Sequence, residues 1–101
     1  MKKFKTPWGH VISFGIVEGF EGSILVVKPG KEIKPHLHKK THEWEIILQG
    51  KGLANGLRVI KGDFKYWNFN VIHGYVNDGK KELKIFCLTQ PPYNPKDDIF
   101  I

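Results

Sequence analysis

Residues 30–50, GKEIKPHLHKKTHEWEIILQG, form the stretch of this chain that decides the fold. Pro35 biases the residue before it away from a helix, so the segment leading to His36 and His38 is predicted to be extended. On a strand, residues two apart point to the same face, and both imidazoles can therefore reach one ion. Glu43 opens the next segment after a short connection, which lets a carboxylate approach the same point. The stretch thus predicts two strands that carry a metal site.

The rest of the chain continues this pattern of short apolar segments separated by turn residues. Residues 11–14 and 24–27 are apolar runs that suit buried strands, and Asn55-Gly56 signals a tight type I′ hairpin. No segment has a convincing helical period. The pattern predicts an all-β sandwich or barrel forming one domain over residues 1–101, with the core barrel at about 10–90 and an irregular tail at 91–101.

Charge and composition narrow the possible partners. The net charge is +6, but fifteen of the sixteen basic residues are scattered lysines and Arg58 is the only arginine. Nucleic-acid sites favour the forked guanidinium, so we expect a solvated lysine surface and no nucleic-acid partner. The apolar runs are too short for a membrane-spanning helix, and we expect no membrane association. Cys87 is the only cysteine, which excludes an internal disulfide, favours the cytoplasm and predicts a small core residue.

A fourth ligand candidate lies further along the chain. Four of the five histidines fall between positions 36 and 73, and His73 stands apart from the cluster in residues 36–42. Neutral imidazoles with one carboxylate suit one divalent metal ion such as iron (Fe), manganese (Mn), nickel (Ni) or zinc (Zn). His42 is the ambiguous member, because it could replace its neighbour Glu43 as a ligand or support the ligands from outside.

The spacing of these residues resembles the two motifs of the cupin superfamily. The first corresponds to Gly30-x5-His36-x-His38-x4-Glu43-x6-Gly50 and the second to Gly62-x10-His73-x3-Asn77. The resemblance implies a cupin-type double-stranded β-helix, a jelly-roll barrel, with a metal bound by His36, His38, Glu43 and His73.

The second motif departs from the family pattern at two positions. Asn68 and Asn70 stand where cupins usually have proline and glycine. This departure concerns the geometry of the turn before His73 rather than metal binding. A fainter resemblance, to the cupin domain of type II phosphomannose isomerases, rests on residues 7–9 (PWG), 26–30 (VVKPG) and 97–99 (DDI).

Strand parity selects further residues for the barrel interior. Regular strands would place Val71, Phe69, Trp67 and Tyr75 on the same face as His73. Of these, Trp67 and Tyr75 are candidates for contact with a substrate.

Two charged residues are candidates for roles near the metal. Glu45 shares the face of Glu43 and would be a candidate general base with a raised pKa if it pointed inward. A strand edge or a bulge would place Glu45 in solvent instead, and that is the placement we expect. Arg58 is the candidate for holding an anionic ligand.

The resemblance implies a metal-binding cupin that binds or transforms a small polar metabolite such as a sugar or sugar phosphate. Related activities include isomerases, epimerases and dioxygenases, and the fold alone does not choose among them. The alternatives are a non-catalytic ligand sensor, an accessory binding protein, and a structural cupin with a vestigial site. Because small β-sandwiches hide their edge strands by pairing, we also expect a homodimer.

Overall fold

The computed structural model describes all 101 residues, and the chain folds almost entirely into strands. The strands are β1 (Lys2–Thr6), β2 (Gly9–Val17), β3 (Phe20–Val27), β4 (Glu32–His38), β5 (His42–Gln49), β6 (Lys51–Ala54), β7 (Leu57–Ile60), β8 (Phe64–Trp67), β9 (His73–Val76), β10 (Leu83–Gln90) and β11 (Asp98–Phe100), with one 3₁₀-helix at Pro95–Asp97. The predicted all-β class is therefore confirmed. No helix in the structure has the length and apolar character needed to cross a membrane.

The strands form two antiparallel sheets. The six-stranded sheet has the order β1-β2-β3-β10-β5-β8, and the five-stranded sheet has the order β11-β4-β9-β6-β7. The core lies between them, since Val27, Ile47 and Ile85 of the first sheet and Tyr75 and Val59 of the second belong to one buried cluster. Each such aliphatic side chain contributes about 1.5–3 kcal/mol to folding when it leaves water.

The predicted hairpin at Asn55-Gly56 is present. Both residues have positive φ angles, 49° and 78°, as a type I′ turn requires. The turn joins β6 to β7 in direct antiparallel register.

Both ends of the chain are more ordered than the sequence predicted. β1 precedes the expected start of the barrel and pairs with β2. At the other end, the tail is not irregular, because β11 pairs with β4 and sets Asp98 directly opposite His38. Proline density misled the prediction here: it marks the approach at residues 91–95 but says nothing about the strand that follows.

Candidate metal centre

The structure brings together the four residues predicted as metal ligands. His36 and His38 lie on β4, Glu43 on β5 and His73 at the start of β9, and all four are buried. One ligand atom from each lies within 4.8 Å of all the others. The β4–β9 pairing sets His36 opposite His73, with ring centroids 4.4 Å apart. Strand alternation brings His38 to the same face as His36.

An acceptor lies beside the Nδ1 atom of each of the three imidazoles. His36 Nδ1 is 2.7 Å from the Lys34 carbonyl oxygen, and His73 Nδ1 is 3.0 Å from the Val71 carbonyl oxygen. His38 Nδ1 makes an ion-pair contact of 2.7 Å with Asp98 Oδ1. A proton held on Nδ1 leaves Nε2 as the free ligand atom of a neutral imidazole.

The Nε2 atoms are placed for an ion. His38 Nε2 and His73 Nε2 are buried and make no hydrogen bond of good geometry, and the same holds for His38 Nδ1 and Asp98 Oδ1, which meet only as an ion pair. The Glu43 carboxylate lies between them, with Oε1 against His38 Nε2 and Oε2 3.6 Å from His73 Nε2. Buried nitrogen atoms without partners cost free energy that a bound cation would recover. Three imidazoles and one carboxylate therefore fit a divalent metal ion.

The pKa shifts in the metal-free cluster follow from burial and from contacts among its charged residues. Burial lowers the pKa of His36. Burial acts in the same direction on His38, but Asp98 and Glu43 outweigh it and raise the His38 pKa to about 10. Burial would raise the pKa of Glu43, yet the close contacts with His38 and His73 hold it well below its usual range. Without metal, His38 is therefore protonated, and its positive charge lies beside the carboxylates of Glu43 and Asp98.

Sequence reasoning missed the part that the C-terminal segment plays in the site. The Asp97 carboxylate accepts hydrogen bonds from the backbone N–H groups of Lys39, Lys40 and Thr41, at 3.0–3.2 Å, and fixes the connection between β4 and β5. Asp98 contacts His38, and its Oδ2 accepts a hydrogen bond of 2.6 Å from the Tyr93 hydroxyl. The only sequence signal was the DDI likeness at residues 97–99, which carried no role in the site.

Glu45 faces the barrel interior, so the expectation that it lies in solvent is wrong. The strand is regular at this point and Glu45 is only 1% exposed. Its Oε1 accepts hydrogen bonds of 2.6 Å from Trp67 Nε1 and from the Tyr75 hydroxyl. Burial, and next the negative charge of Glu43, raise the Glu45 pKa well above its usual range. Cys87 lies buried beside this pair, with Sγ 3.6 Å from Glu43 Oε2, consistent with a core position.

Three other expectations about the interior fail for local reasons. Arg58 points outward and pairs with Asp78 at 2.7 and 2.8 Å, away from the cluster. Phe69 and Val71 are 42% and 40% exposed because β8 ends at Trp67, where the alternation stops.

His42 also lies outside the cluster. As the neighbour of Glu43 on a regular strand it takes the opposite face, where its Nδ1 is 2.6 Å from the Tyr66 hydroxyl. Its ring stacks near those of Trp44 and Tyr66. The structure thus gives His42 no contact with the four clustered residues.

The unusual turn before His73 is accommodated by asparagine. Asn70 adopts a φ of 63°, a left-handed conformation that asparagine tolerates better than most residues. Its backbone N–H donates a 2.6 Å hydrogen bond to the carbonyl oxygen of His38. Asn70 therefore adopts the backbone conformation expected of glycine at this position, and its hydrogen bond attaches the turn to β4.

The four clustered residues line a cavity of about 850 Å³ inside the barrel. Tyr75 also lines it, whereas Trp67 stacks on His73 from beside the cavity. Phe100 of the terminal strand closes on the ring of His36 with centroids 5.4 Å apart. The remaining walls mix apolar, hydroxyl-bearing and charged side chains, among them Phe4, Trp8, Leu25, Ser13, Ser23, Thr89, Tyr93, Glu21, Glu32 and Lys34.

Comparison with known families decides the classification. The family model of the cupin domain matches residues 23–89. The chain belongs to the cupin family. This cupin also superposes on solved structures with the same fold. One is the capsular polysaccharide assembling protein CapF from Staphylococcus aureus, with a TM-score of 0.87 at 18% identity over 99% of this chain and 32% of that one. The double-stranded β-helix predicted from the motifs is thus confirmed.

Three further relatives differ in how much of their length this cupin covers. An uncharacterized protein of Methanocaldococcus jannaschii is 34% identical over 88 residues, which is 81% of this chain and 70% of the relative. The xanthan biosynthesis protein XanB of Xanthomonas campestris is 26% identical over 97% of this chain, but the match spans only 22% of XanB. The structure of a candidate sugar phosphate isomerase from Acidithiobacillus ferrooxidans matches with a TM-score of 0.64 at 26% identity, over 72% of this chain and 51% of that one.

Proposed function

We propose that this cupin binds one divalent metal ion through His36, His38, Glu43 and His73, and that the metal holds a small polar ligand in the barrel cavity. The observation that carries the proposal is the set of three buried imidazoles whose Nδ1 atoms all face an acceptor. That arrangement leaves the Nε2 atoms and one carboxylate for a cation at the cavity wall. Iron, manganese, nickel and zinc all suit this ligand set.

The metal and the surrounding residues have separate tasks. Four protein ligands would leave room for a ligand atom, and the metal, when bound, would supply a Lewis acid for a carbonyl or hydroxyl oxygen. Beside it, the Glu45 carboxyl is held by Trp67 and Tyr75, and burial together with the charge of Glu43 raises its pKa well above the usual range. Tyr75 also lines the cavity, so it can both contact the ligand and hold Glu45 in place.

The cavity favours a ligand rich in hydroxyl groups. Its volume lies within the range of small-molecule sites. Ser13 and Ser23 face each other across β2 and β3, and Thr89 lies on the same wall. Ser23 can exchange hydrogen bonds with a sugar, and Ser13 and Thr89, whose hydroxyls donate to Glu21, can accept from it. The metal, when bound, would hold one of the sugar oxygens. XanB and the candidate sugar phosphate isomerase support a carbohydrate or a sugar phosphate, although the match spans only part of each protein.

A second candidate function is ligand binding without turnover. It is favoured by the enclosure of Glu45, the candidate general base beside Glu43. Glu45 is 1% exposed, and Trp67 and Tyr75 both donate to the same oxygen atom, Oε1. A group held in this way supports the architecture of the site more readily than it exchanges protons with a ligand. Such a protein would act as a sensor or an accessory binding module.

We also propose that two copies associate through the outer face of the six-stranded sheet and that the protein works in the cytoplasm. Trp44 and Ile46 on β5, Phe64 on β8, and Phe86 and Leu88 on β10 form an uncharged apolar surface there. Sheets with apolar outer faces pack stably on another sheet, and an isologous pair would cover both copies at once. Replacing Phe64 with lysine should convert a dimer to a monomer in light scattering. A wild-type monomer would exclude this association.

The location rests on the single buried thiol of Cys87, since disulfides characterise oxidising compartments.

The test of the metal proposal is elemental analysis of untagged protein purified without chelator. We expect about one equivalent of metal. The His36→Ala/His38→Ala double variant should lose it, whereas a His10→Ala/His42→Ala control, which removes two imidazoles outside the cluster, should keep it. Absence of metal in the wild type, even after each candidate ion is added, would exclude the proposal.

Ligand binding and turnover are then separated with the metal-loaded protein. Sugars and sugar phosphates are screened by thermal shift, and each binder is followed by NMR for conversion. Binding with conversion supports an enzyme, and binding without conversion supports the sensor or accessory role. If nothing in the carbohydrate panel binds, the proposed ligand class is wrong.

A further inference from the structure

We propose that Asp98 is a positioning residue of the metal centre, which acts by holding His38 in the orientation and tautomer that metal binding requires. The inference rests on the four-residue metal site proposed above and adds a fifth residue to it. Asp98 would not touch the metal. It would act through His38 Nδ1, to which its Oδ1 is 2.7 Å away.

The three imidazoles differ in where their Nδ1 acceptors come from. His36 and His73 each use the carbonyl oxygen two residues earlier in their own segment, at Lys34 and Val71. Those acceptors are in place as soon as the local backbone is formed. His38 instead depends on a carboxylate from the far end of the chain. It is the one candidate ligand imidazole whose Nδ1 acceptor depends on tertiary docking.

The Asp98 carboxylate is itself held in place. Antiparallel pairing of β11 with β4 puts Asp98 opposite His38, and its side chain is only 11% exposed. The Tyr93 hydroxyl donates a 2.6 Å hydrogen bond to Oδ2, which leaves Oδ1 for the imidazole. A carboxylate beyond a metal-bound histidine fixes the ring and strengthens the ligand, and its loss typically costs about 10–100-fold in metal affinity.

Docking of the C-terminal strand and metal binding should therefore stabilise each other. Asp97, the adjacent residue, fixes the connection between β4 and β5 through three backbone N–H groups and the Thr41 hydroxyl. Asp97 thus binds residues 39–41 of this connection, and Asp98 binds His38 at the end of β4. If docking of β11 increases the metal affinity, metal binding must stabilise the docked strand by the same free energy, because the two are thermodynamically linked.

The first experiment compares the metal affinity of Asp98→Asn and Asp98→Ala with that of the wild type. Zn²⁺ affinity is measured by competition with a chromophoric chelator. The alanine variant should bind about 10–100-fold more weakly, and the asparagine variant, which keeps an oxygen acceptor without the charge, should fall between. Asp78→Asn is the matched control, because Asp78 is also an ion-paired aspartate but pairs with Arg58 outside the cavity. Its affinity should equal that of the wild type.

Two further readouts separate positioning from a merely structural role. The visible spectrum of the Co²⁺-loaded protein should change in Asp98→Asn, because the geometry at His38 changes, and should stay the same in Asp78→Asn. Hydrogen exchange of the β11 amides in the wild type should slow when Zn²⁺ is added. If an Asp98 variant loses its fold, Tyr93→Phe, which removes only the hydroxyl that donates to Asp98, should still weaken binding in the same direction.

The outcomes distinguish this inference from the metal site on which it rests. A wild-type protein that binds no metal overturns the four-ligand site itself. A wild type that binds metal, with folded Asp98 variants of equal affinity and unchanged Co²⁺ spectra, overturns the positioning role alone. Unchanged exchange of the β11 amides on metal addition would overturn the linkage between the strand and the ion.

Discussion

The indole of Trp67 lies parallel to the imidazole of His73, with ring centroids 5.2 Å apart and an interplanar angle of 7°. The same indole donates its Nε1–H to Glu45 Oε1 at 2.6 Å. Trp67 therefore contacts two parts of the site. It stacks on the candidate ligand His73, and it hydrogen-bonds to Glu45, whose buried carboxyl lies beside the candidate ligand Glu43. Its stacking also limits how far the His73 ring can turn about its Cβ–Cγ bond.

Replacing Trp67 with phenylalanine should keep a stacked ring but remove the N–H donor. We expect the free energy of unfolding to fall by about 1–2 kcal/mol, since a buried acceptor loses one of its two partners. Urea titration of the metal-free protein measures this change. Trp8→Phe is the control, because Trp8 also packs against the core but does not hydrogen-bond to Glu45. Equal losses in the two variants would argue against a specific role for the Trp67 N–H.

Replacing Glu45 with glutamine should make the metal-free protein more stable at high pH. Burial and the charge of Glu43 raise the Glu45 pKa, so the folded state binds a proton more tightly than the unfolded chain. A raised carboxyl pKa contributes stability that is fully present at low pH and is lost as the pH rises toward the folded-state pKa. The amide cannot ionise, and its oxygen can still accept from Trp67 and Tyr75.

Thermal unfolding from pH 5 to pH 9 with chelator present tests the Glu45→Gln prediction. The melting temperature of the variant should exceed that of the wild type most at pH 9, with the difference narrowing toward pH 5. Tyr75→Phe, which removes a donor but keeps the carboxyl, should retain the loss of stability at high pH. A difference that stays constant across this range would mean that Glu45 does not titrate differently in the folded state.

His36, His38 and Glu43 could be predicted as a group from local rules, whereas His73 was added by the resemblance to the second cupin motif. His36 and His38 share a face through strand alternation, and the fixed spacing to Glu43 reflects one short connection. The same alternation placed Glu45 inward. The prediction went wrong where it preferred an edge or bulge to the regular strand, since β5 in fact lies between β10 and β8 and is not an edge.

The residues that support the ligands could not be found in this way. Asp98 reaches His38 through a pairing between strands far apart in the sequence, which no local period reveals. Arg58 was selected only as the single arginine, and charge alone does not fix a direction. Its neighbours on β7 alternate so that Val59 is buried and Arg58 points out to Asp78.

Replacing Gly74 with alanine should weaken metal binding by separating β9 from β4. A Cβ at this position would lie 2.8 Å from the Ile33 carbonyl oxygen and 3.0 Å from Pro35 N, and both are backbone atoms that cannot easily move. Relief of the clash would shift His73 relative to His36. We expect a loss of about 1–3 kcal/mol in stability, typical of overpacking, together with weaker binding of Zn²⁺.

Gly79→Ala is the control for the Gly74 prediction. A Cβ at Gly79 would come no closer than 3.4 Å to its neighbours, and the residue lies outside the cavity. Its metal affinity should match that of the wild type. Chelator competition and urea unfolding measure both variants, and a Gly74→Ala protein with wild-type affinity would show that the two ligand strands tolerate separation.

Metal affinity should rise with pH because binding displaces a proton from His38. Asp98 and Glu43 raise the His38 pKa to about 10 against the effect of burial, so in the metal-free protein this imidazole is protonated at neutral pH. His36 has a lowered pKa and Glu43 a strongly lowered one, so neither holds a proton that must leave. A metal needs the neutral imidazole, and one displaced proton changes the apparent affinity by about tenfold per pH unit.

Calorimetry at pH 7.5 in buffers of different ionisation enthalpy counts the protons released. We expect about one proton per Zn²⁺ bound, and an affinity that climbs through pH 8.5 before levelling near the His38 pKa. Asp98→Asn removes one of the two carboxylates that raise this pKa, so the variant should release less than a full proton and show a shallower pH dependence. Zn²⁺ binding that is independent of pH between 6.5 and 8.5 would mean that His38 is already neutral in the free protein.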